Sequence, residues 1–242
     1  MIYGIILAGG KGKRMGTTIP KQYLRLKEKP IVIWTIDVFL KSKLFDAIYL
    51  AVNDNWKGHA MEILKKYYTF QESTKIRICT SNCNNRTLSL EDIVDTIIKE
   101  NGMKMDDIVI SHDAVRPFVS YKILNDCIFQ TEKAQVAMAA VLSSETMYMS
   151  ESEGILTKSF NRNKCYIGQS PLGCKLSLLH HILHSYSIDE LRNATAVSQL
   201  FINRNINVKM SYGEENNFKI TTPKDLAFAE FYVEYFNGIS KQ

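Results

Sequence analysis

Apolar and polar positions alternate along this chain in two periods. Ile2–Leu7 is a short continuous apolar run and predicts a buried strand; Ile31–Leu40 repeats its apolar positions every three to four residues and predicts an amphipathic helix. The same reading gives strands at Ala47–Val52, Lys75–Cys79, Asp107–Ser111 and Val136–Leu142, and helices at His59–Tyr68, Leu88–Glu100 and Tyr121–Glu132. This strand–helix alternation predicts a Rossmann-like α/β fold, with a mostly parallel sheet and helices on both faces. The rhythm breaks over residues 143–168, which are polar and strand-like in pieces, with Gly154 at a turn. They are expected to project from the core as a β-arm. Helix returns over Lys175–Ser185, Phe218–Ile220 predicts a last short strand, and Thr222-Pro223 predicts the start of a final helix, with threonine as N-cap and proline at the first helical position. No internal repeat or linker interrupts the 242 residues, so residues 1–242 are expected to form one domain.

Charge sharpens the picture because of where it lies. Residues 1–27 hold Lys11, Lys13, Arg14, Lys21, Arg25 and Lys27 and no acid, whereas the rest of the chain carries 24 cations against 25 acids. A single concentrated cluster suits a compact polyanion better than a nucleic acid, which needs a stripe or face. No apolar run approaches the about 18 residues of a membrane span, and the short apolar start lacks a basic leader, so a cytoplasmic protein without membrane contact is expected. The five cysteines are odd in number and form no Cys-x-x-Cys pair, which argues against a disulfide framework or a structural zinc site. His180 and His184 share a helix and could pair on a metal, but no nearby acid is seen to complete a site and no His-Glu-x-x-His occurs, so surface or packing roles are expected.

The first strand runs into Leu7-Ala8-Gly9-Gly10-Lys11-Gly12-Lys13-Arg14-Met15-Gly16. Small residues let backbone amides approach a phosphate, and a loop at the carboxyl end of a strand is where open α/β sheets bind ligands. Arg14 follows Gly12-Lys13 where a Walker A loop needs serine or threonine, and the glycine spacing also misses Gly-x-Gly-x-x-Gly. Asp113 and Arg116, in His112-Asp113-Ala114-Val115-Arg116-Pro117, follow another buried strand; an aspartate there can hold a cation or a sugar hydroxyl, or simply pair with the arginine.

The glycine-rich loop with Pro20-Lys21-Gln22, His-Asp-Ala-Val-Arg-Pro, and Asn217-Phe218-Lys219-Ile220-Thr221-Thr222-Pro223 together resemble the sugar-phosphate nucleotidyltransferases. Within them the chain resembles the cytidylyltransferases acting on methylerythritol phosphate and ribitol 5-phosphate. The resemblance spans nearly the whole chain. It implies catalytic roles for Arg14, Lys21 and Lys219, and nucleotide contacts from Leu7, Ala8, Gly9, Gly10, Gly12, Lys13, Asn82, Cys83, Asn84, Ser89 and Ala114. It implies acceptor contacts from Asp113, Arg116, Thr146, Arg162, Ser170 and Thr195, and Mg²⁺ held near Asp113 and Asn217. The substrates implied are CTP and a pentitol phosphate, in a homodimer built through the arm at about 143–168. Leu-Ala-Gly-Gly, Val115, Phe118 and Gly168-Gln169 resemble the ribitol-phosphate branch, which supplies wall teichoic acid or capsule precursors; methylerythritol 4-phosphate is the alternative acceptor. The chain departs from the family pattern at Leu172, at Ala196 and over Asn82–Asn84, which keeps open a catalytically silent nucleotide-binding regulator of the same fold.

Overall fold

The computed structural model describes residues 1–10, 12–81 and 85–239, with backbone only at Lys13 and at 236–239. In chain order the elements are β1 (Ile2–Leu7), β2 (Arg25–Leu26), β3 (Lys29–Pro30), α1 (Ile31–Ser42), β4 (Ala47–Asn53), α2 (Lys57–Tyr67), α3 (Phe70–Ser73), β5 (Ile76–Ser81), α4 (Arg86–Asn101), β6 (Ile108–Asp113), α5 (Tyr121–Ala134) and β7 (Val136–Leu142). The second half adds β8 (Tyr148–Met149), β9 (Lys158–Ser159), β10 (Tyr166–Lys175), α6 (Leu176–His184), α7 (Ile188–Asn193), α8 (Val197–Asn203), β11 (Lys209–Tyr212) and α9 (Pro223–Ile239).

Seven strands form one sheet in the order β11-β7-β10-β6-β1-β4-β5. Every pairing in it is parallel except those of β10, which runs antiparallel to both β6 and β7. The expected mostly parallel sheet is therefore found. Continuous apolar strands follow from burial on both faces. On one face Ile6, Ile48 and Leu50 meet Ile33 and Phe39 of α1 and Ile123 of α5. On the other, Ile5, Tyr49 and Val109 meet Ile93 and Ile97 of α4, Leu179 and Leu183 of α6, and Phe201 of α8.

The strand expected at Phe218–Ile220 is corrected by the structure. These residues lie outside any strand, and Ile220 makes one backbone bond, its N–H donating to the Val115 carbonyl at 2.9 Å. The last strand is instead β11, which pairs with β7 at the sheet edge. The sequence reading also passed over β10, the central antiparallel strand. Its Gly173 is required there: a Cβ at that point would stand 2.1 Å from the Thr131 hydroxyl of α5 and 2.8 Å from Ile110. The projecting segment contains the β8–β9 hairpin, with Gly154 at φ +78° near its tip. The expected helix start is found as well: the Asp225 N–H donates to the Thr222 hydroxyl at 3.4 Å, and its carboxylate accepts from the Thr221 and Thr222 amides at 2.9 and 2.8 Å.

Candidate active site

The carboxyl ends of β1 and β6 lie side by side, with Leu7 in register with Asp113. A cleft of ≈ 370 Å³ opens above them, lined by Leu7, Gly9, Gly10, Gly12, Arg14, Lys21, Gln22, Asn85, Arg86, Ser89, Asp113, Val115, Lys219 and Thr221. That volume falls in the range of small-molecule sites. Among the described lining residues, four cations face one carboxylate.

The glycine-rich loop is braced from below. Gln22 donates its side-chain amide to the carbonyls of Ala8 and, at 3.2 Å, Gly10. Gly12 adopts φ +65°, and a Cβ there would press within 3.2 Å of the Lys21 backbone and side chain. Glycine thus lets the loop turn back onto Lys21. Lys21 is 9 % exposed and donates to the Ile220 carbonyl at 2.9 Å. Burial, then the neighbouring charge of Lys219, depresses its pKa to about 8.

Asp113 is the hub. One carboxylate oxygen accepts from Arg86 Nε at 3.0 Å; the other lies 3.1 Å from Lys219 Nζ and 3.4 Å from Arg116 Nε. Burial alone would raise its pKa, but Arg86, Lys219 and Arg116 outweigh that and hold it far below the usual carboxylate range. Its backbone N–H donates to Ser170 Oγ at 3.1 Å, so Ser170 supports the hub from β10. Arg116 sits behind Asp113 and donates to the Asn217 carbonyl at 2.7 Å. His112 is fully buried; burial lowers its pKa to about 4, so it is neutral at physiological pH and can donate Nε2–H to the Arg116 carbonyl at 3.1 Å. This histidine shapes the loop rather than facing the cleft.

Leu7, Gly9, Gly10, Gly12, Arg14, Lys21, Ser89, Asp113 and Lys219 are thus brought together as expected positions of one cleft. Ala8 and Ala114 form its buried floor: the Ala114 N–H donates to the Leu7 carbonyl and the Ala8 N–H to the Ala51 carbonyl. The Lys13 side chain and Asn82, Cys83 and Asn84 lie outside the described residues. Thr146 and Arg162 are exposed on the projecting segment, and Thr195 is exposed with its hydroxyl donating to Gln199 at 2.8 Å; none of the three lines the cleft. Asn217, expected at a metal, is fully buried behind the cleft and donates its side-chain amide to Gln169 Oε1 and the Ser170 carbonyl at 3.1 and 2.8 Å. Leu172 is likewise a core residue, in register between Ser111 and Met138.

Arg86, Gln22, Asn85 and Thr221 join the cleft without having been singled out. Asn85 caps α4, accepting from the Thr87 and Leu88 amides at 2.8 and 3.2 Å, and so aims the first residue of that helix, Arg86, at Asp113. Gln22 stood beside Lys21 in the quoted motif; for Arg86 the available signal was an arginine just inside a capped helix start.

Such a site can hold a polyanion against backbone amides and cations on rigid elements. The family model of IspD, 2-C-methyl-D-erythritol 4-phosphate cytidylyltransferase, matches residues 2–235. A ribitol-5-phosphate cytidylyltransferase from Lactiplantibacillus plantarum is 34% identical over 235 residues, covering 97% of this chain and 99% of that one. The structure of 4-diphosphocytidyl-2C-methyl-D-erythritol synthase from Anaerococcus prevotii superposes with a TM-score of 0.80 at 26% identity, over 96% of both chains. The Francisella tularensis 2-C-methyl-D-erythritol 4-phosphate cytidylyltransferase gives 0.75 at 29%, over 95% of this chain and 98% of that one. The chain therefore belongs to the 2-C-methyl-D-erythritol 4-phosphate cytidylyltransferase (IspD) family and is a cytidylyltransferase.

Proposed function

We propose that the protein transfers the cytidylyl group of CTP to D-ribitol 5-phosphate, giving CDP-ribitol and pyrophosphate for wall teichoic acid or capsule precursors. The observation that carries the acceptor is the full-length likeness to the ribitol-5-phosphate cytidylyltransferase of L. plantarum. The family model and the solved relatives, named for methylerythritol phosphate, favour that acceptor as the second reading.

In the proposed reaction a phosphate oxygen of the acceptor attacks the α-phosphorus of CTP. The bond to the bridging oxygen breaks, and pyrophosphate leaves with its electron pair. A phosphate monoester is already anionic near neutral pH, so no general base is needed. The residues align two anions and neutralise the charge that develops between them. Amides of the Gly9–Gly12 loop cradle the triphosphate. Arg14 and Lys21 grip it from the loop side and Lys219 from the opposite side. Ser89 and the start of α4 face the base, and Asp113 with Arg116 positions the acceptor.

Mg²⁺ is the proposed metal. Asp113 is the one carboxylate among the described lining residues, and cations already engage both its oxygens. That donor set fits an ion carried in mainly by the triphosphate and water, with Asp113 as its single protein anchor. Such an ion supplies charge neutralisation at the phosphates.

A homodimer is proposed because the projecting segment exposes Met147, Tyr148, Ile155, Leu156, Phe160, Tyr166 and Ile167. So many exposed apolar side chains on one short segment favour a cover, and a second copy would carry Arg162 and Thr146 towards the neighbouring cleft. The test is pyrophosphate release from CTP and Mg²⁺ with ribitol 5-phosphate, methylerythritol 4-phosphate or no acceptor. Release with ribitol 5-phosphate alone upholds the proposal; release with methylerythritol 4-phosphate alone replaces it with the second reading.

A further inference from the structure

The α4–α6 pair carries a feature unrelated to the cleft. Glu91 and Asp95 are four residues apart on α4, and His180 and His184 are four apart on α6, so each pair projects from one helix face. The helices pack together through Leu90, Ile93 and Val94 of α4 and Leu179, Ile182 and Leu183 of α6, all buried, which fixes the backbone beneath the four polar side chains. Asp95 Oδ1 lies 2.9 Å from His184 Nε2 and 3.7 Å from His180 Nε2. One ligand atom from each of these three residues falls within 4.8 Å of the others, the one such group of three or more histidine, cysteine or acidic residues among the described residues. His184 Nδ1, on the far side of the ring, faces Glu91 at 3.6 Å. The expectation that no acid stands by these histidines is therefore corrected: α4 brings two.

We propose that His180 Nε2, His184 Nε2 and Asp95 bind one borderline transition ion, Zn²⁺ in the first instance, which braces α4 against α6. Ligands at about 2.0–2.1 Å around a tetrahedral Zn²⁺ lie about 3.3 Å apart. The two separations from Asp95 bracket that value and the two histidines' ligand atoms lie within 4.8 Å of each other, so side-chain movement closes the site without moving the helices. Two imidazoles and a carboxylate suit Zn²⁺ and its neighbours and are too soft a set for Mg²⁺ or Ca²⁺. Glu91, 3.6 Å from Nδ1, stands on the side from which an outer carboxylate accepts the second ring N–H of a ligating histidine once the pair closes by a few tenths of an ångström. The fourth position is open to water, since the three ligands lie at the surface.

The test is calorimetric titration of the chelator-treated full chain with ZnCl₂, repeated with MgCl₂, alongside thermal melting to establish that each variant folds. The expected result is one Zn²⁺ per chain and no Mg²⁺ competition. Binding is lost in the His180→Ala/His184→Ala double variant, weakened roughly tenfold or more in Glu91→Gln, and unchanged in His181→Ala, whose exposed ring lies outside the group. Tetrahedral absorption of the Co²⁺-loaded protein should vanish in the same double variant. Absence of saturable binding, displacement by Mg²⁺, or undiminished binding in the folded double variant would overturn the proposal.

Discussion

Replacing Lys21 by methionine should raise stability and lower activity together. Lys21 is held almost out of water, and its pKa falls from 10.5 to about 8, first through burial and then through the nearby Lys219. Holding its proton in the folded state at neutral pH therefore costs about 3 kcal/mol relative to the unfolded chain. Methionine keeps most of the side-chain length and removes that cost. It also leaves the Ile220 carbonyl without its 2.9 Å donor, a loss of about 1 kcal/mol. The Lys21→Met protein should thus be the more stable by about 2 kcal/mol at pH 7. The sign of the pH dependence follows. Between pH about 8 and 10.5 the unfolded chain binds a proton that folded Lys21 has released, so wild-type stability rises with pH across that window. Other titrating groups are common to both proteins and cancel in the difference.

Urea denaturation of both proteins at pH 7 and pH 10.5 measures that difference, and the variant's advantage should shrink by about 3 kcal/mol at the higher pH. Pyrophosphate release supplies the second readout. Loss of one charged donor at the transferring phosphoryl group should lower kcat/KM roughly 10²–10³-fold, and wild-type kcat/KM should decline above pH about 8 as free Lys21 deprotonates. A stability difference that does not move between pH 7 and 10.5, or a wild-type rate that stays level to pH 10, would refute the assignment of a strained, charged Lys21 to the phosphate site.

Arg86→Ala should lower kcat/KM for CTP by about tenfold or more, by removing the 3.0 Å partner of Asp113 and one of the four cations among the described residues lining the cleft, as steady-state kinetics would read. Gly173→Ala should cost about 1–3 kcal/mol in denaturant titration, since its Cβ would overlap the Thr131 hydroxyl at 2.1 Å. Arg162→Ala should raise KM for the acceptor phosphate by about tenfold and leave KM for CTP unchanged, because the residue stands on the projecting segment and away from the described cleft.

Legibility in the sequence followed the range of the forces involved. β1, β4 and β6 were readable because burial on both faces turns each into an apolar run, and α1, α4 and α5 because one face of each meets the sheet. β10 was not: Gly168, Pro171 and Gly173 break its strand pattern, and the need for Gly173 arises from Thr131, 42 positions away and on another element. β11 hides because it is a short edge strand in which only Ser211 is buried. The same division runs through the cleft. Arg14, Lys21, Asp113 and Lys219 sit in contiguous motifs and were legible one by one. Arg86 gains its meaning only from a partner 27 residues on, and Asn217 proved a buried brace because its contacts come from Gln169 and Ser170, 48 and 47 residues earlier.

The unevenness of the cleft also explains why a secure fold leaves the acceptor to experiment. The nucleotide half is built within one chain, from the β1 loop, the start of α4 and the segment before α9. Of the residues proposed to meet the acceptor, Asp113 lines the same cleft, whereas Arg162, Thr146 and Thr195 are exposed in this chain and do not line it. Ribitol 5-phosphate and methylerythritol 4-phosphate share the phosphate that Arg162 would hold and differ in one methyl branch, one carbon of chain length and one hydroxyl. The carbon skeleton alone is worth about 1–3 kcal/mol of discrimination, and side chains that hydrogen-bond the additional hydroxyl would add to it. Leu172, one of the positions at which the chain departs from the family pattern, is a core residue and is not among them. If the arm pairs two copies, acceptor choice rests on residues that the partner supplies, and a variant that stays monomeric should still bind CTP while losing turnover with either acceptor. Sedimentation of such a variant, paired with CTP titration, tests this; full turnover by a monomer would place acceptor recognition wholly within one chain.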